Sequence, residues 1–182
     1  LLSRRQRQMC IRDRIQAHRG GMGLWPENTI MAMKNAIDLG VDMLELDLMI
    51  SKDSLVVVSH EEIMSSEYVT KPDGTRVTKA EEASLVLFGM PYDDIRRYDT
   101  GLAGDSRYPA RVRIAACKPL LSELLDATEA HIREKGGRNL RYNIEIKASK
   151  GKEQRCMAPD YKTFTDLCMA VILEKGLGGR VT

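Results

Sequence analysis

From residue 14 onward, short runs of β-type residues alternate with segments whose apolar positions recur at helical spacing. This is the pattern of βα units wound around a parallel sheet. Arg14-Ile15-Gln16-Ala17 reads as a first strand running into His18. A helix is predicted over about 28–39, with Ile30, Met33 and Ile37 on one face, Asn28 as N-cap and Gly40 just past its end. Residues 41–50 form a second strand. Leu55-Val56-Val57-Val58 forms a third, apolar enough to be buried on both faces, and it delivers His60.

The alternation then lapses from Glu61 to Cys117, with turn signals at Pro72-Asp73-Gly74 and Asp99-Thr100-Gly101. That is too long for an ordinary connection, and it predicts an inserted subdomain or a long lid over one end of the sheet. Periodicity resumes with a helix over 119–135, carrying Leu121, Leu124, Leu125 and Ile132 on one face and ended by Gly136-Gly137. A fourth strand spans 141–147. The next helix, 160–175, has Phe164, Leu167, Cys168, Val171 and Ile172 on its apolar side and Gly176 as its stop, and Val181-Thr182 begins a fifth strand. A complete (β/α)8 barrel needs roughly 250 residues. The expectation is therefore an incomplete TIM-type barrel of about four to five βα units over 14–182, with an insertion at 61–117 and its C-terminal half missing.

Glu45 and Asp47 stand two apart on the second strand, so both project to one face while Leu44, Leu46 and Leu48 project to the other. In a barrel the leucines pack against helices and the carboxylates point inward. An isolated E-x-D more often lines the solvated face of an antiparallel strand. Here the fourth strand repeats the device, presenting Asn143, Glu145 and Lys147 against Ile144 and Ile146. Shielded carboxylates repel one another and need a cation, and a hard divalent ion such as Mg²⁺ or Ca²⁺ is the simplest one. His18 and His60 end predicted strands, at the rim where barrel active sites are built. Either alone would read as a structural histidine; together, beside carboxylates, they suggest an acid-base pair. His131, mid-helix and off the apolar stripe, reads as a surface residue.

Charge changes little in this picture. The first thirteen residues hold four Arg and one Asp, and without them the net charge goes from +2 to −1. A basic arm for nucleic acid and a signal remnant are the competing readings, but the segment lacks the apolar stretch of a signal. Met9-Cys10-Ile11-Arg12-Asp13 resembles what a sequencing-library transposon end encodes, so residues 1–13 are read as a scar foreign to the fold. Cys117, Cys156 and Cys168 show no metal-ligand spacing and read as ordinary thiols. No apolar run approaches the ~20 residues of a transmembrane helix.

His18-Arg19-Gly20, five residues, then Pro26-Glu27-Asn28-Thr29 resembles the N-terminal signature of the glycerophosphodiester phosphodiesterases. The similarity continues through the Glu45 and Asp47 pair, Ser51-Lys52-Asp53, Val57-Val58-x-His60, Tyr98-Asp99-Thr100-Gly101, Lys118-Pro119-Leu120-Leu121-Ser122-Glu123 and Asn143-Ile144-Glu145-Ile146-Lys147. The resemblance implies a barrel enzyme that hydrolyses small glycerol phosphodiesters to glycerol 3-phosphate and an alcohol. It implies one divalent ion on Glu45, Asp47 and Glu145, His18 and His60 as general acid and base, and Arg19 and Lys147 on the phosphate. Its departures are Glu61 where Asp is usual, Ser54 where Gly is usual, and a missing Arg-Thr-Thr run. Relatives are often exported, which favours the periplasm or secretion. A lipid-cleaving phosphodiesterase on the same barrel and a non-catalytic barrel are the competing readings.

Overall fold

The computed structural model of the protein describes residues 15–182, so the segment 1–13 and Arg14 of the first strand lie outside the described residues. The sheet is organised by β2 (Met43–Ile50), which pairs in parallel with β1 (Gln16–Ala17) and with β4 (Arg141–Ile146). Leu48 pairs with Ile146 on one side and with Val58 of β3 (Val56–Val58) on the other.

The β3 pairing corrects the expectation of a third parallel strand, because β3 runs antiparallel to β2. Four residues connect Ile50 to Leu55, whereas a parallel crossover needs a dozen or more. Ser51 closes the turn. Its amide donates to the Leu55 carbonyl at 3.0 Å, and its hydroxyl donates to Asp53 Oδ1 at 2.6 Å while accepting from the Leu55 amide at 3.1 Å. Ser54 takes a left-handed φ of 61°, a conformation glycine adopts more cheaply. The expected burial on both faces holds for Val56, Val57 and Val58 but not for Leu55, which lies in the turn before β3 and is exposed.

Helices α1 (Ile30–Asp38), α3 (Leu121–Glu134) and α5 (Tyr161–Glu174) carry the apolar stripes legible in the sequence. Leu44, Leu46 and Leu48 of β2 meet Met33, Leu124, Leu125, Phe164 and Ile172 in one continuous core. Thr29, rather than Asn28, caps α1, its hydroxyl accepting from the Ala32 amide at 3.2 Å. Asn28 instead adopts φ 56° and turns its amide toward β2. Asp160 caps α5 by accepting from the Lys162 and Thr163 amides. A short helix not expected from the sequence, α4 (Lys150–Gln154), follows β4. Val181 pairs in parallel with Tyr142, where the fifth strand was expected to begin.

Residues 61–117 contain two single-turn 3₁₀ helices (Glu82–Ser84, Leu87–Gly89) and the short α2 (Tyr92–Ile95). Met64, Tyr68, Val69, Leu87, Tyr92 and Ile95 close a second core on Met49 and Val57, on the face of the sheet opposite the leucines. The return of this segment is clasped at Asp99-Thr100-Gly101. Asp99 accepts from the amides of Gly101, Leu102 and Ala116, and Gly101 lies so close to the Ile114 carbonyl that a Cβ would sit 2.0 Å from its oxygen.

His131 is not the free surface residue expected. Its ring is mostly covered between α3 and α1, with Nε2 2.9 Å from Asp38 Oδ1, a carboxylate that Lys135 also contacts at 2.9 Å. Cys117, Cys156 and Cys168 are free thiols, with Cys168 buried in the main core. Among the described residues no helix is long and apolar enough to cross a membrane.

Leu46 has no exposed surface at the centre of the main core. Leu46→Ala is expected to cost about 2–5 kcal/mol, read as a lower urea midpoint with the slope unchanged. Acid should loosen the second core in a defined window. Lys79 and the Ser66 hydroxyl and amide hold the Glu82 carboxyl at about 2, against the opposing effect of burial. A lowered folded-state pKa contributes stability above the ordinary 4.5, and that stability is lost as pH falls toward 2. Glu82→Gln should flatten the decline of the unfolding midpoint across that window; an unchanged decline would assign the acid sensitivity elsewhere.

Candidate active site

Strand alternation on β2 separates two environments. The leucines enter the helical core, while Glu45 and Asp47 project to the other face, where they are only 5% and 1% exposed. The parallel register sets Asn143 beside Glu45 and Glu145 beside Asp47. Carboxylate oxygens of Glu45, Asp47 and Glu145 lie within 4.8 Å of one another, with Glu145 the exposed member. Lys147 joins them, its Nζ 3.1 Å from Asp47 Oδ1 and 2.7 Å from Glu145 Oε1. The ammonium stays charged because those two carboxylates outweigh its desolvation and raise its pKa.

The loop after β1 supplies the second cation. Arg19 sits at φ 50°, followed by Gly20 at 77° and Gly21 at 96°, three successive left-handed residues. Only glycine fits at position 20, where a Cβ would lie 2.9 Å from that of Ala32. This turn presses the Arg19 amide onto Glu45 Oε2 at 2.6 Å. The guanidinium reaches inward, Nη1 donating to Glu27 Oε1 at 2.9 Å and Nε lying 3.3 Å from Asp47 Oδ2. Burial disfavours the charged guanidinium, but Glu27 and Asp47 outweigh it and raise its pKa.

Even with these cations the carboxylates are incompletely compensated. Desolvation, with a smaller contribution from Asp47, raises the Glu45 pKa against the hydrogen bond from the Arg19 amide. Asp47 Oδ1 is buried and makes no hydrogen bond among the described residues, but it faces the Lys147 ammonium at 3.1 Å. Three clustered carboxylates fit the all-oxygen donor set preferred by Mg²⁺ or Ca²⁺.

The two histidines approach β2 from opposite directions. His18 follows parallel β1, its side chain 60% exposed and Nε2 3.9 Å from Glu45 Oε2. His60 follows antiparallel β3, and the amide of its neighbour Ser59 donates to the Asp47 carbonyl at 2.9 Å. It reaches this region because β3 doubles back along β2, not because it ends a parallel strand. His60 Nδ1 lies 3.0 Å from Glu61 Oε1. The direct contacts join Arg19, Glu45, Asp47, Glu145 and Lys147 into one network with His18 at its edge; His60 contacts Glu61 instead.

Sequence reading missed three buried partners. Asn28 both donates to Asp47 Oδ2 at 3.0 Å and accepts from the Asp47 amide at 3.3 Å. Glu27 receives Arg111 at 3.1 Å as well as Arg19. Lys118, 5% exposed, donates to Ser59 Oγ at 2.8 Å. All three fall within recognised motifs, but their burial is a tertiary property that motif spacing does not carry.

The glycerophosphoryl diester phosphodiesterase family profile matches residues 18–176. A glycerophosphodiester phosphodiesterase of Caldanaerobacter subterraneus subsp. tengcongensis is 32% identical over 132 residues, 72% of this chain and 44% of the relative. A human lysophospholipase D is 50% identical over 62 residues, 34% of this chain and 19% of the relative. Among solved structures, a Silicibacter pomeroyi protein assigned as a glycerophosphoryl diester phosphodiesterase aligns with TM-score 0.80 and 25% identity, covering 93% of this chain and 56% of that one. An Oleispira antarctica phosphodiesterase solved with the product sn-glycerol-3-phosphate aligns with TM-score 0.60 and 21% identity, covering 88% and 51%. The chain spans less than half the length of these curated relatives and about half that of the solved structures. The described sheet and helices share the α/β fold of these TIM-type barrels, and the chain belongs to the glycerophosphoryl diester phosphodiesterase family.

Proposed function

We propose that this chain carries the reacting residues of a metal-dependent phosphodiesterase that hydrolyses glycerophosphodiesters to glycerol 3-phosphate and an alcohol. The observation that carries the reading is the cluster of Glu45, Asp47 and Glu145, its carboxylate oxygens within 4.8 Å of one another, beside Arg19 and Lys147. In this reading residues 61–117 are an insertion after β3 and residues 14–182 are part of a barrel, in keeping with the 56% coverage of the Silicibacter structure. Residues 1–13 are read as foreign to it.

A phosphodiester is anionic and repels nucleophiles, and its cleavage expels a poor alkoxide. Glu45, Asp47 and Glu145 would hold one Mg²⁺ or Ca²⁺, which would neutralise phosphate charge and would be worth several kcal/mol in the transition state. Arg19 and Lys147 bind and orient the phosphate oxygens. Of His18 and His60, one removes the proton from the attacking oxygen, either water or the substrate's own glycerol hydroxyl. The other protonates the departing alkoxide. Each such transfer contributes on the order of 10² to 10⁴ in rate.

A second reading takes lysophospholipids as substrates by the same chemistry. It draws on the 50% identity to the human lysophospholipase D over 62 residues. It also draws on exposed Leu24 and Val112, whose loops are joined by a hydrogen bond from the Val112 amide to the Leu24 carbonyl at 2.8 Å.

With the full-length enzyme, His18→Ala and His60→Ala are each expected to lower kcat on glycerophosphocholine by at least about 10²; near-normal turnover in either would remove that histidine from the chemistry. Lysophosphatidylcholine turned over with the higher kcat/KM would instead favour the lipid reading. Calorimetric titration with Mg²⁺ and with Ca²⁺ should show one site, weakened at least about tenfold, or about 1.4 kcal/mol, by Asp47→Asn. Unchanged affinity would dissociate the carboxylate cluster from metal binding.

A further inference from the structure

His60 stands over a buried polar network that the proposed chemistry does not use. Its Nδ1 faces Glu61 Oε1 at 3.0 Å, and the other carboxylate oxygen, Oε2, accepts the Tyr68 hydroxyl at 2.6 Å. Lys118 Nζ donates to Ser59 Oγ at 2.8 Å and to the Tyr68 hydroxyl at 3.4 Å, and it lies over the Tyr68 ring at 5.5 Å from the centroid. Ser59 Oγ in turn donates to the Glu61 carbonyl at 2.7 Å. Three stretches of chain meet here. The end of β3 carries Ser59 to Glu61, the second core carries Tyr68, and residues 118–120 run beside β3, where the Val58 amide donates to the Pro119 carbonyl at 2.9 Å.

The chemical logic is directional. A carboxylate only accepts hydrogen bonds, so an ionised Glu61 requires the proton on His60 Nδ1 and leaves Nε2 as the unprotonated nitrogen of the neutral ring. Burial by itself would favour a neutral Glu61. The hydrogen bonds from His60 and Tyr68 and the nearby Lys118 charge outweigh it and hold the Glu61 pKa far below the ordinary range. Lys118 is a buried ammonium whose direct partners are both neutral hydroxyls, and desolvation lowers its pKa while Glu61, Glu27 and Asp47 oppose that shift. Burying an ammonium without a direct carboxylate partner is costly, so it calls for a compensating role. Long-range stabilisation of Glu61 through Tyr68 supplies one.

We propose that Glu61, Tyr68 and Lys118 are positioning residues that fix the ring orientation and tautomer of His60 so that Nε2 exchanges the proton with substrate. Glu61 sets the tautomer, Tyr68 fixes the Glu61 carboxylate, and Lys118 ties Tyr68 to the end of β3. This rests on His60 acting as an acid or base, and the test separates the two claims.

The full chain, labelled with ¹⁵N-histidine, is measured by long-range ¹H–¹⁵N NMR. Its three histidines are assigned by single replacements. In the unsubstituted protein neutral His60 is expected as the Nδ1–H form. Glu61→Gln and Tyr68→Phe should both move it toward the Nε2–H form that a free imidazole favours, while circular dichroism stays unchanged. Tyr68→Phe removes one oxygen and keeps the ring in the second core, so it tests the idea even if Lys118→Met fails to fold. In the full-length enzyme Tyr68→Phe should lower kcat about tenfold with KM within about twofold. A His60 tautomer unaltered by both Glu61→Gln and Tyr68→Phe would overturn the positioning role. Shifted tautomers together with an active His60→Ala enzyme would keep the network but discard His60 as a proton carrier.

Discussion

Two carboxylates almost out of contact with water stand two residues apart on the strand around which the sheet is organised. At about 5 Å and an effective dielectric of about 20, two such charges repel by roughly 3 kcal/mol, on top of the desolvation each bears. Neither can be tolerated at Glu45 and Asp47 without compensation, and the surrounding structure reads as the means of supplying it. Arg19 arrives from the loop after β1 and Lys147 from the end of β4, and Asn28 ties both the amide and the carboxylate of Asp47. Lys147 and Arg19 thus set two positive charges against the three carboxylates of Glu45, Asp47 and Glu145.

That constraint also accounts for where the backbone is strained. Arg19 and Asn28 both occupy left-handed φ, at a cost of order 1 kcal/mol or more for each non-glycine residue. The two are joined, the Asn28 amide donating to the Arg19 carbonyl at 3.0 Å. In return, the Arg19 amide and guanidinium both reach the β2 carboxylates, and the Asn28 side chain takes an approach that a helix N-cap geometry would not allow. The signature that encloses these residues is therefore a folding instruction for the carboxylates as much as a list of reacting groups.

How far this was legible in the sequence follows from the range of each interaction. The stripes of α1, α3 and α5 and the leucine-against-carboxylate alternation of β2 are set by local periodicity, and the spacing alone gave them within a residue or two. The gathering of Glu45, Asp47, Glu145 and Lys147 was legible for the same reason, because two in-register parallel strands each present alternate residues to one face. The direction of β3 is not set by its composition: its apolar run suits a parallel core strand equally well, and only the four-residue connection from β2 forbids a crossover. Asn and Thr are both good caps, and only the tertiary demand of Asp47 separates Asn28 from Thr29. His131 lies off the apolar stripe of its helix, and its partner, Asp38, comes from a helix more than ninety positions away, beyond the reach of local spacing.

The 61–117 segment shows no alternation because its core is made one residue at a time on top of Met49 and Val57, and yet it is tied to the site chemistry. Arg111, returning from this segment, donates from Nη2 to Glu27 Oε2 and from Nε to the Met22 carbonyl at 2.7 Å, and Tyr108 stacks on its guanidinium. Glu27 is thus held between Arg111 on one side and Arg19 on the other. A buried carboxylate clamped by two guanidiniums has little freedom to move, so the position of Arg19 over Asp47 depends on residues the alternation pattern would discard as loop. Tyr68, also from this segment, donates to Glu61 Oε2 at 2.6 Å, and the other oxygen of that carboxylate faces His60. The same segment therefore delivers buried polar contacts to Glu27 and to Glu61, two carboxylates that local periodicity does not connect to it.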